Sequence, residues 1–261
     1  EILRCLVGSE MCIRDRYNGL CVTQKLVDAY YMVDGRDIKN ASEEYPYNIA
    51  KGAVTDDNFS KVKESFSGYL IPAGVYGMYL NRENRFYATV GFSGRHWFVK
   101  SNTQSQYGPY NVWYHEMNTV PGSDLYAGKY SSINNVIDYP GTGYVLTKWV
   151  HPMDALKGTG SNLVAKYYPI IRYAEILLGY AEALNHVNPG DARIIQYVDS
   201  VRYRAGIPLL KDIKPEIIGN RELQEKAIRH ERRIELFAEG QRYFDCLLYT
   251  SPSPRDISGS R

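Results

Sequence analysis

The sequence predicts a mainly α-helical chain with a loop-rich region that contains a small β-hairpin. Two observations support this. In the C-terminal third, apolar residues recur at helical spacing in three segments that Gly and Pro separate. Residues 101–143 are rich in Gly, Ser, Asn, Pro and Tyr and show no regular apolar pattern. Two runs of aromatic and β-branched residues precede them and predict the hairpin. We expect the helices to form the scaffold and the loop-rich region to carry any ligand contact.

The two ends of the chain, residues 1–16 and 246–261, look like translated sequencing adapter. One coding string for residues 6–16 has a reverse complement that, read one base in, encodes residues 246–255. A reverse-complementary pair at both ends is typical of adapter around an insert, so these ends carry no information about the fold. We expect residues 17–245 to be an internal fragment of a longer protein, without its signal peptide and anchor.

Cysteine content and net charge narrow the classes of function. Only Cys21 of the four cysteines lies outside the two ends, so there is no disulfide framework to infer. The formal net charge is +2, and the ends contribute 0 and +1, which leaves +1. A chain so close to neutral gives no electrostatic reason to expect a nucleic-acid partner. No apolar run is long enough for a membrane-spanning helix.

The first predicted helix covers residues 22–33, with Thr23 as its cap and a turn at residues 34–35. Its apolar face consists of Val22, Leu26, Ala29, Tyr30 and Val33. Residues 36–71 are polar and predict loops with at most one short helix. Residues 86–92 and 96–100 predict the two strands of a hairpin around a turn at 93–95. A further strand is expected at 144–150, with Trp149 in the core.

Three helices are predicted in the C-terminal third, at residues 167–187, 191–205 and 221–239. The apolar stripe of the first is so broad that we expect burial on more than one side. Gly206 and Pro208 end the second helix, and Asn220 caps the third, which Gly240 ends. Small residues suit close helix contact as in a tetratricopeptide unit, namely Ala174, Gly179, Ala181 and Ala183. A single pair of antiparallel helices cannot bury its own apolar face, so we expect further helices outside this fragment.

Several segments resemble, in order and spacing, the signature segments of the SusD/RagB family. They are IRYAEILLGYAEALN at 171–185, VRYRAGIP at 201–208, IRHERRIEL at 228–236 and EGQRYFD at 239–245. Residues 23–35 and 85–87 resemble two further motifs of the family. These two motifs depart from the family pattern. Glu83 and Asn84 replace the family's Asp-Pro, and Val22 replaces its Pro, so the turns at these positions are expected to differ from those of the family. The resemblance covers nearly all of residues 17–245.

The resemblance implies a SusD-like, mostly helical fold with tetratricopeptide-like helix pairs. It implies a lipid-anchored protein on the extracellular face of the outer membrane, with the anchor outside this fragment. Its partners would be a SusC-type TonB-dependent transporter and an oligosaccharide or polysaccharide. The implied role is non-catalytic capture of glycans or other nutrients for import, without a cofactor. The alternative is a tetratricopeptide-like protein-interaction scaffold without a sugar site.

The aromatic residues in and near the loop-rich region are the candidate ligand contacts. Sugars present apolar C–H faces and hydroxyl edges, so a site for them needs aromatic platforms with polar groups alongside. The candidates are Trp97, Tyr107, Tyr110, Asn111, Trp113, Tyr114 and Tyr126. With 24 tyrosines and 7 phenylalanines, the chain has many such platforms. Alternatively, these aromatic side chains pack the loop down onto the helices.

Charged residues on the predicted helices indicate a structural ion network rather than catalysis. Arg172, Glu175 and Glu182 lie on a helix expected to be buried, where charges need partners. The candidate partners are Arg202, Arg204, Arg232, Arg233 and Arg242.

Catalytic and metal sites find little support in the sequence. The histidines are scattered and lack the spacing of a zinc helix; they are His96, His115, His151, His186 and His230. Asp56–Asp57 and Glu43–Glu44 are the candidate carboxylate pairs for glycoside hydrolysis, but adjacent acids in polar loops are usually solvated. We therefore expect no catalytic residue and no metal.

Overall fold

The computed structural model describes residues 21–50, 71, 74–97, 110–112, 142–150 and 164–241, and only the backbone for 96–97 and 110–112. The helices are α1 (Gln24–Val27), α2 (Asn84–Thr89), α3 (Tyr173–Val187), α4 (Arg193–Ala205), α5 (Leu210–Ile213) and α6 (Arg221–Glu235). Short 3-10 helices occupy Ile38–Asn40, Gly77–Tyr79 and Pro215–Ile217. The strands are β1 (Val90–Gly91), β2 (Arg95–Trp97), β3 (Tyr110–Val112) and β4 (Val145–Leu146). The prediction of a mainly helical chain is confirmed.

Helices α3, α4 and α6 pack together around one apolar core. Its buried members include Leu178 and Ala181 of α3, Val198 of α4 and Ile228 of α6. Two of the predicted end signals hold. Asn220 Oδ1 accepts from Leu223 N at 3.2 Å at the start of α6, whereas α6 ends at Glu235, before the predicted stop at Gly240. Gly206 ends α4 with φ +73°, a left-handed conformation that glycine adopts without strain. These helix ends were predictable because caps and glycine stops are local signals.

The prediction that the first long helix is buried on more than one side is wrong for this chain. Helix α3 begins at Tyr173, six residues later than predicted, and buries only the face that meets α4 and α6. Ile170, Ile171 and Ile176 keep 88%, 67% and 55% of their surface exposed. Two neighbouring helices can cover one stripe of a third, so the second apolar side of α3 stays uncovered.

A second core lies under the N-terminal part of the described chain and also receives Ala205, Ile207 and Ile234 from the helical part. The first helix is much shorter than predicted, although Val22, Leu26, Ala29 and Tyr30 of its predicted face are all buried. Beyond Val27 the backbone bonds to side chains from elsewhere: Tyr31 N, which a longer helix would pair with the Val27 carbonyl, donates to Glu83 Oε1 at 2.9 Å. Arg82, which is fully buried, donates from Nη2 to the carbonyls of Val27 (2.5 Å) and Tyr30 (2.8 Å).

The predicted hairpin is wrong in its first strand and in its pairing. Residues 84–89 form α2, while β1 pairs with β4 and β2 pairs with β3, both antiparallel. The turn occurs where predicted, with Gly94 at φ +86°. Both Phe86 and Tyr87 are buried, and an aromatic run that is buried on both sides does not distinguish strand from helix by periodicity.

The strand predicted at 144–150 is confirmed only as the short β4. Trp149 lies beyond it in a turn, half-buried, with its ring 5.1 Å from that of Tyr168. The polar stretch from residue 36 carries the single-turn 3-10 helix Ile38–Asn40, as its composition suggested, and residues 51–70 lie outside the described ranges. Among the described helices, none combines the length and apolarity needed to cross a membrane.

Candidate functional site

The strand pair β2–β3 brings together part of the predicted ligand site. Its register sets Trp97 opposite Tyr110 and His96 opposite Asn111. The other predicted contacts lie outside the described residues; they are Tyr107, Trp113, Tyr114 and Tyr126. Of the seven candidates, the structure therefore relates three to one another, and the site itself stays a prediction.

The register separates the aromatic positions from the amide. Directly opposed residues of an antiparallel pair share a face, and successive residues alternate between faces. The positions of Trp97 and Tyr110 thus belong to one face, and that of Asn111 belongs to the other. An aromatic pair on one face of a strand pair suits stacking against the C–H face of a sugar.

Arg95, at the start of β2, ties this strand pair to the core. Its side chain is buried, and its Nη1 donates to the carbonyl of Val90 at 2.9 Å and to Thr147 Oγ1 at 2.6 Å. Thr147 N in turn donates to the Thr89 carbonyl at 2.9 Å. The strand pair therefore starts from a fixed point beside β1 and β4. Arg95 was not among the residues predicted from the sequence, although a charged residue directly after a turn glycine is a usable signal.

Aromatic rings fill the core beneath this point. The Phe86 ring lies 5.4 Å from Phe92 and 5.7 Å from Tyr30, and Tyr79 stacks on Phe92 at 4.4 Å. Burial raises the pKa of Tyr30 and of Tyr87 above the ordinary tyrosine value, so both hydroxyls stay protonated. Tyr87 Oη donates to the Tyr79 carbonyl at 2.6 Å. Tyr30, Tyr79 and Tyr87 therefore pack the core.

A buried ion network joins the two cores. Arg85 of α2 donates from Nε to Glu83 at 2.7 Å and from Nη1 to Glu231 at 2.6 Å and Glu235 at 3.2 Å. Arg202 of α4 is fully buried and approaches the other oxygen of Glu231 at 3.3 Å. Glu231 and Glu235 are four residues apart on α6, so both face the same way. Helix α6 thus presents a row of carboxylates to arginines from α2 and α4.

The network continues to the end of α6 and into the segment after β4. Arg172 donates to Glu235 Oε1 at 2.8 Å and to Glu239 Oε2 at 2.6 Å. Lys148 pairs with Glu239 and donates to the Phe237 carbonyl at 2.7 Å. These contacts connect residues that stand before α3, after β4 and at the end of α6.

The pKa shifts in this network reflect mutual charge stabilisation. Burial by itself would lower the pKa of Arg85, but Glu231, Glu83 and Glu235 outweigh it and raise that pKa above the ordinary arginine value. Burial would raise the pKa of Glu235, and the neighbouring guanidiniums, Arg204 and Arg85 foremost, lower it instead. Arg85 and Glu235 are thus held in their charged forms, as a structural network requires.

The predicted ion network exists, and its buried carboxylates include Glu231 and Glu235, which the sequence prediction did not include. Glu175 and Glu182 are only half-buried, because α3 buries a single face, and Glu175 accepts from Gln241 at 2.7 Å. Arg202 and Arg204 do join the network, with Glu231 and Glu235 as partners. Arg233 donates to the carbonyl of Lys25 at 2.7 Å. Arg242 lies outside the described residues.

The positions of the described residues support neither glycoside hydrolysis nor metal binding. Glu43 and Glu44 are both exposed, and Asp56–Asp57 lie outside the described ranges. His230 Nε2 lies 2.6 Å from the Ala29 carbonyl and stacks its ring on Tyr31 at 4.6 Å. Within the described residues, no group of three or more His, Cys, Asp or Glu side chains is placed to hold a metal ion.

The sequence matches the SusD family over residues 13–247. Two relatives are SusD-like proteins of Formosa agariphila: protein P2, 36% identical over 34% of this chain, and protein P38, 30% identical over 54%. Among solved structures, a SusD-like protein from Bacteroides fragilis superposes over 90% of this chain with a TM-score of 0.56 and 29% identity. The chain spans 18% and 24% of the two Formosa relatives and 38% of the Bacteroides protein.

Proposed function

We propose, because this chain belongs to the SusD family, that it is part of a protein that captures glycans or other nutrients at the cell surface. The protein then delivers them to a SusC-type TonB-dependent transporter. It acts from the extracellular face of the outer membrane, where a lipid anchor holds it. The match over residues 13–247 is the observation that carries this proposal.

The ligand contacts we propose centre on the strand pair β2–β3 and the loop-rich region around it. The opposed positions of Trp97 and Tyr110 support an aromatic platform there. Arg95 supports it further, since its contacts with Val90 and Thr147 fix where the strand pair leaves the core. A platform on a fixed base loses less conformational entropy on binding.

We propose that the role is binding and not catalysis. Glycoside hydrolysis needs two carboxyl groups at a set separation across the scissile bond. The exposed Glu43 and Glu44 are adjacent along the chain, and the buried carboxylates Glu231 and Glu235 are engaged by arginines. Incubation with oligosaccharides should release no reducing sugar.

Glycan binding is the direct test. A glycan array followed by calorimetry should find a neutral oligosaccharide that binds weakly, and Trp97→Ala should lower its affinity about tenfold, since aromatic–ligand contacts carry one to a few kcal/mol. The double change Trp113→Ala with Tyr114→Ala should lower it further. Tyr203→Ala is the matched control, because Tyr203 is 78% exposed on α4. Full affinity in both the Trp97 and the double variant would refute the site.

A second candidate function, a protein-interaction scaffold without a sugar site, is favoured by one observation. An apolar face stands exposed before and along α3; it consists of Tyr167, Ile170, Ile171, Tyr173, Ile176 and Tyr180. Exposed apolar patches of this kind often mark contact surfaces. Capture of a SusC-type transporter that Ile176→Asp abolishes, together with an empty glycan array, would favour the scaffold over the binding protein.

A further inference from the structure

Helix α3 carries a second apolar stripe, outside the face that it buries against α4 and α6. The members of this outer stripe are all exposed and follow one another at spacings of three and four residues; they are Tyr173, Ile176, Tyr180, Ala183 and Val187. The buried face of α3 has the same kind of spacing, with Ala174, Leu178, Ala181 and Asn185. Alternating steps of three and four residues are the pattern by which one helix packs along another. The outer stripe therefore has the form of a helix-packing surface.

The outer stripe is open to solvent although it is apolar. Tyr173 and Val187 keep 76% and 85% of their surface exposed, and Ile176 keeps 55%. The apolar surface extends through three exposed residues just before α3, namely Tyr167, Ile170 and Ile171. Together these side chains expose on the order of 700 Å². The largest apolar patch of a typical monomer is about 300–600 Å², and each partner of a stable dimer contributes about 800 Å². The exposed area is thus close to what a dimer buries.

Side-chain size along the outer stripe indicates which partner fits. The large Tyr173 and Ile176 lie in the N-terminal half of α3, and the smaller Ala183 and Val187 lie in the C-terminal half, with Tyr180 between them. If two copies of α3 run antiparallel around Tyr180, Ile176 opposes Ala183 of the partner and Tyr173 opposes Val187 of the partner. Large side chains then meet small ones, as interdigitated packing requires. A parallel pair would instead set Tyr173 against Tyr173.

Helix α3 is already organised for such a contact. Leu178 and Ala181 pack it onto α4 and α6, so pairing of two copies requires no helix formation. An antiparallel pair also places the N-terminal end of each helix beside the C-terminal end of the other, which is the favourable arrangement of their dipoles. The cost of association is therefore low for a surface of this area.

We propose that the outer stripe is a self-association surface, on which α3 of a second copy of this chain packs antiparallel about a twofold axis near Tyr180. A twofold interface uses the same surface on both copies, so it needs a surface that is complementary to itself. The match between the two halves of the outer stripe meets this requirement. The proposal concerns the apolar face that a protein-interaction scaffold would use, but it rests neither on that function nor on glycan capture.

Sedimentation velocity of the full chain, from micromolar to submillimolar concentration, tests the proposal. The mass should rise with concentration towards twice that of one chain, which is 29.8 kDa. Ile176→Asp should weaken the dimer at least about tenfold, because the interface would then bury an unpaired carboxylate. Tyr203→Asp is the matched control, since Tyr203 is 78% exposed on α4 and lies outside the outer stripe. A parent chain that stays monomeric at every concentration, or an equal loss in both variants, would overturn the proposal.

Ala183→Leu distinguishes the antiparallel pair from unspecific association. The added apolar surface would strengthen unspecific association. In the antiparallel pair the longer side chain would collide with Ile176 of the partner, so the dimer should weaken about fivefold. Circular dichroism should show an unchanged helix content, because Ala183 is exposed. Equal or stronger association of Ala183→Leu contradicts the proposed packing.

Cysteine cross-linking determines the orientation, in a background where the four native cysteines are replaced by serine. Tyr180→Cys should form a disulfide-linked dimer, because the position lies at the proposed axis. Tyr173→Cys and Val187→Cys should each stay unlinked, and a mixture of the two should link. These two positions are about 21 Å apart along α3, so they come within disulfide distance only across an antiparallel pair. Linkage of Tyr173→Cys to itself, without linkage in the mixture, would refute the antiparallel dimer.

Discussion

Arg85 and Glu231 are 146 residues apart in the sequence, yet Arg85 Nη1 donates to Glu231 Oε1 at 2.6 Å inside the protein. The Glu231 side chain is fully buried and that of Arg85 keeps 10% of its exposure. The pair connects α2, under the candidate ligand region, to α6 of the helical scaffold. Each charge in such a place needs counter-charges, because the desolvation of a buried ion is otherwise uncompensated.

Glu231→Gln should destabilise the protein by about 3–5 kcal/mol, because it leaves Arg85 and Arg202 buried without this counter-charge. Urea unfolding followed by circular dichroism measures the loss. Arg85→Gln combined with Glu231→Gln should cost clearly less than the two single changes added together, since groups in contact couple. Simple additivity would mean that the pair contributes no coupling of its own.

The lowered pKa of Glu235 makes part of the stability depend on pH. Its ordinary value is 4.5, and the folded state holds it lower, so the unfolded chain binds a proton more readily on acidification. This contribution is complete above about pH 4.5 and is lost as the pH falls through the folded-state pKa. Urea unfolding of Glu235→Gln and the parent chain should therefore differ most at neutral pH and converge once the pH lies below the folded-state pKa of Glu235.

The control for this pH effect is Glu222→Gln, which changes an exposed carboxylate on the same helix. It should leave the pH profile of stability as it is. A constant difference between Glu235→Gln and the parent chain from pH 7 to about 3 would show that the arginines do not lower the pKa of Glu235.

Alanine substitutions at two glycines with similar backbone conformations distinguish the cost of backbone strain from the cost of a steric clash. Gly35 and Gly219 have φ angles of +75° and +79°, so alanine at either site costs about 1–2 kcal/mol from the left-handed conformation. A Cβ on Gly35 would also lie 2.6 Å from Arg202 Nη2, whereas one on Gly219 meets nothing within 4 Å. Gly35→Ala should therefore lower the free energy of unfolding by about 2 kcal/mol more than Gly219→Ala, because it disturbs a hydrogen bond of the Arg202 guanidinium.

The measurement for the glycine pair is the urea midpoint of each variant. Arg202 Nη2 also donates to the Gly35 carbonyl at 3.1 Å, so displacing it weakens a contact that leads on to Glu231. Equal midpoints for Gly35→Ala and Gly219→Ala would show that Arg202 moves aside without cost.

Thr147 tests how firmly the strand pair β2–β3 is anchored. Thr147→Val removes the hydroxyl that accepts from Arg95 Nη1 at 2.6 Å and keeps the side-chain shape. We expect a loss of about 1–3 kcal/mol, because a buried guanidinium loses an acceptor. Thr147→Ser keeps the hydroxyl and should retain most of the stability. Thermal unfolding measures both, and a stable Thr147→Val would show that the Val90 carbonyl suffices.

Local signals determined much of the helical part of this fold. The cap at Asn220, the glycine at 206 and the spacing of apolar residues act within one or two turns of a helix, so they can be found without knowing what lies alongside. The same holds for the turn at Gly94. The ordered motifs from 171 to 245 also identified the family that the comparisons then showed.

Sequence position alone could not assign the partners of the buried charges or the conformation of residues 84–89. Periodicity allowed a strand at Phe86, and the helix there is held by Arg85 contacts with Glu231 and by a Thr89 hydroxyl that donates to the Arg85 carbonyl at 2.6 Å. Likewise, the candidate aromatic platform depends on a register between Trp97 and Tyr110 that no local pattern specifies.

The sequence by itself determined the three helices of the C-terminal part, the end of α4, the start of α6 and the family, because capping, turn chemistry and apolar spacing are short-range. Tertiary structure decided that α3 begins at Tyr173 and buries one face, that Glu83 accepts from the Tyr31 amide beyond α1, and that Glu231 and Glu235 face Arg85. Each of these depends on burial and on contacts between residues far apart in the chain. Desolvation makes such contacts strong, and it exists only once the packed interior has formed.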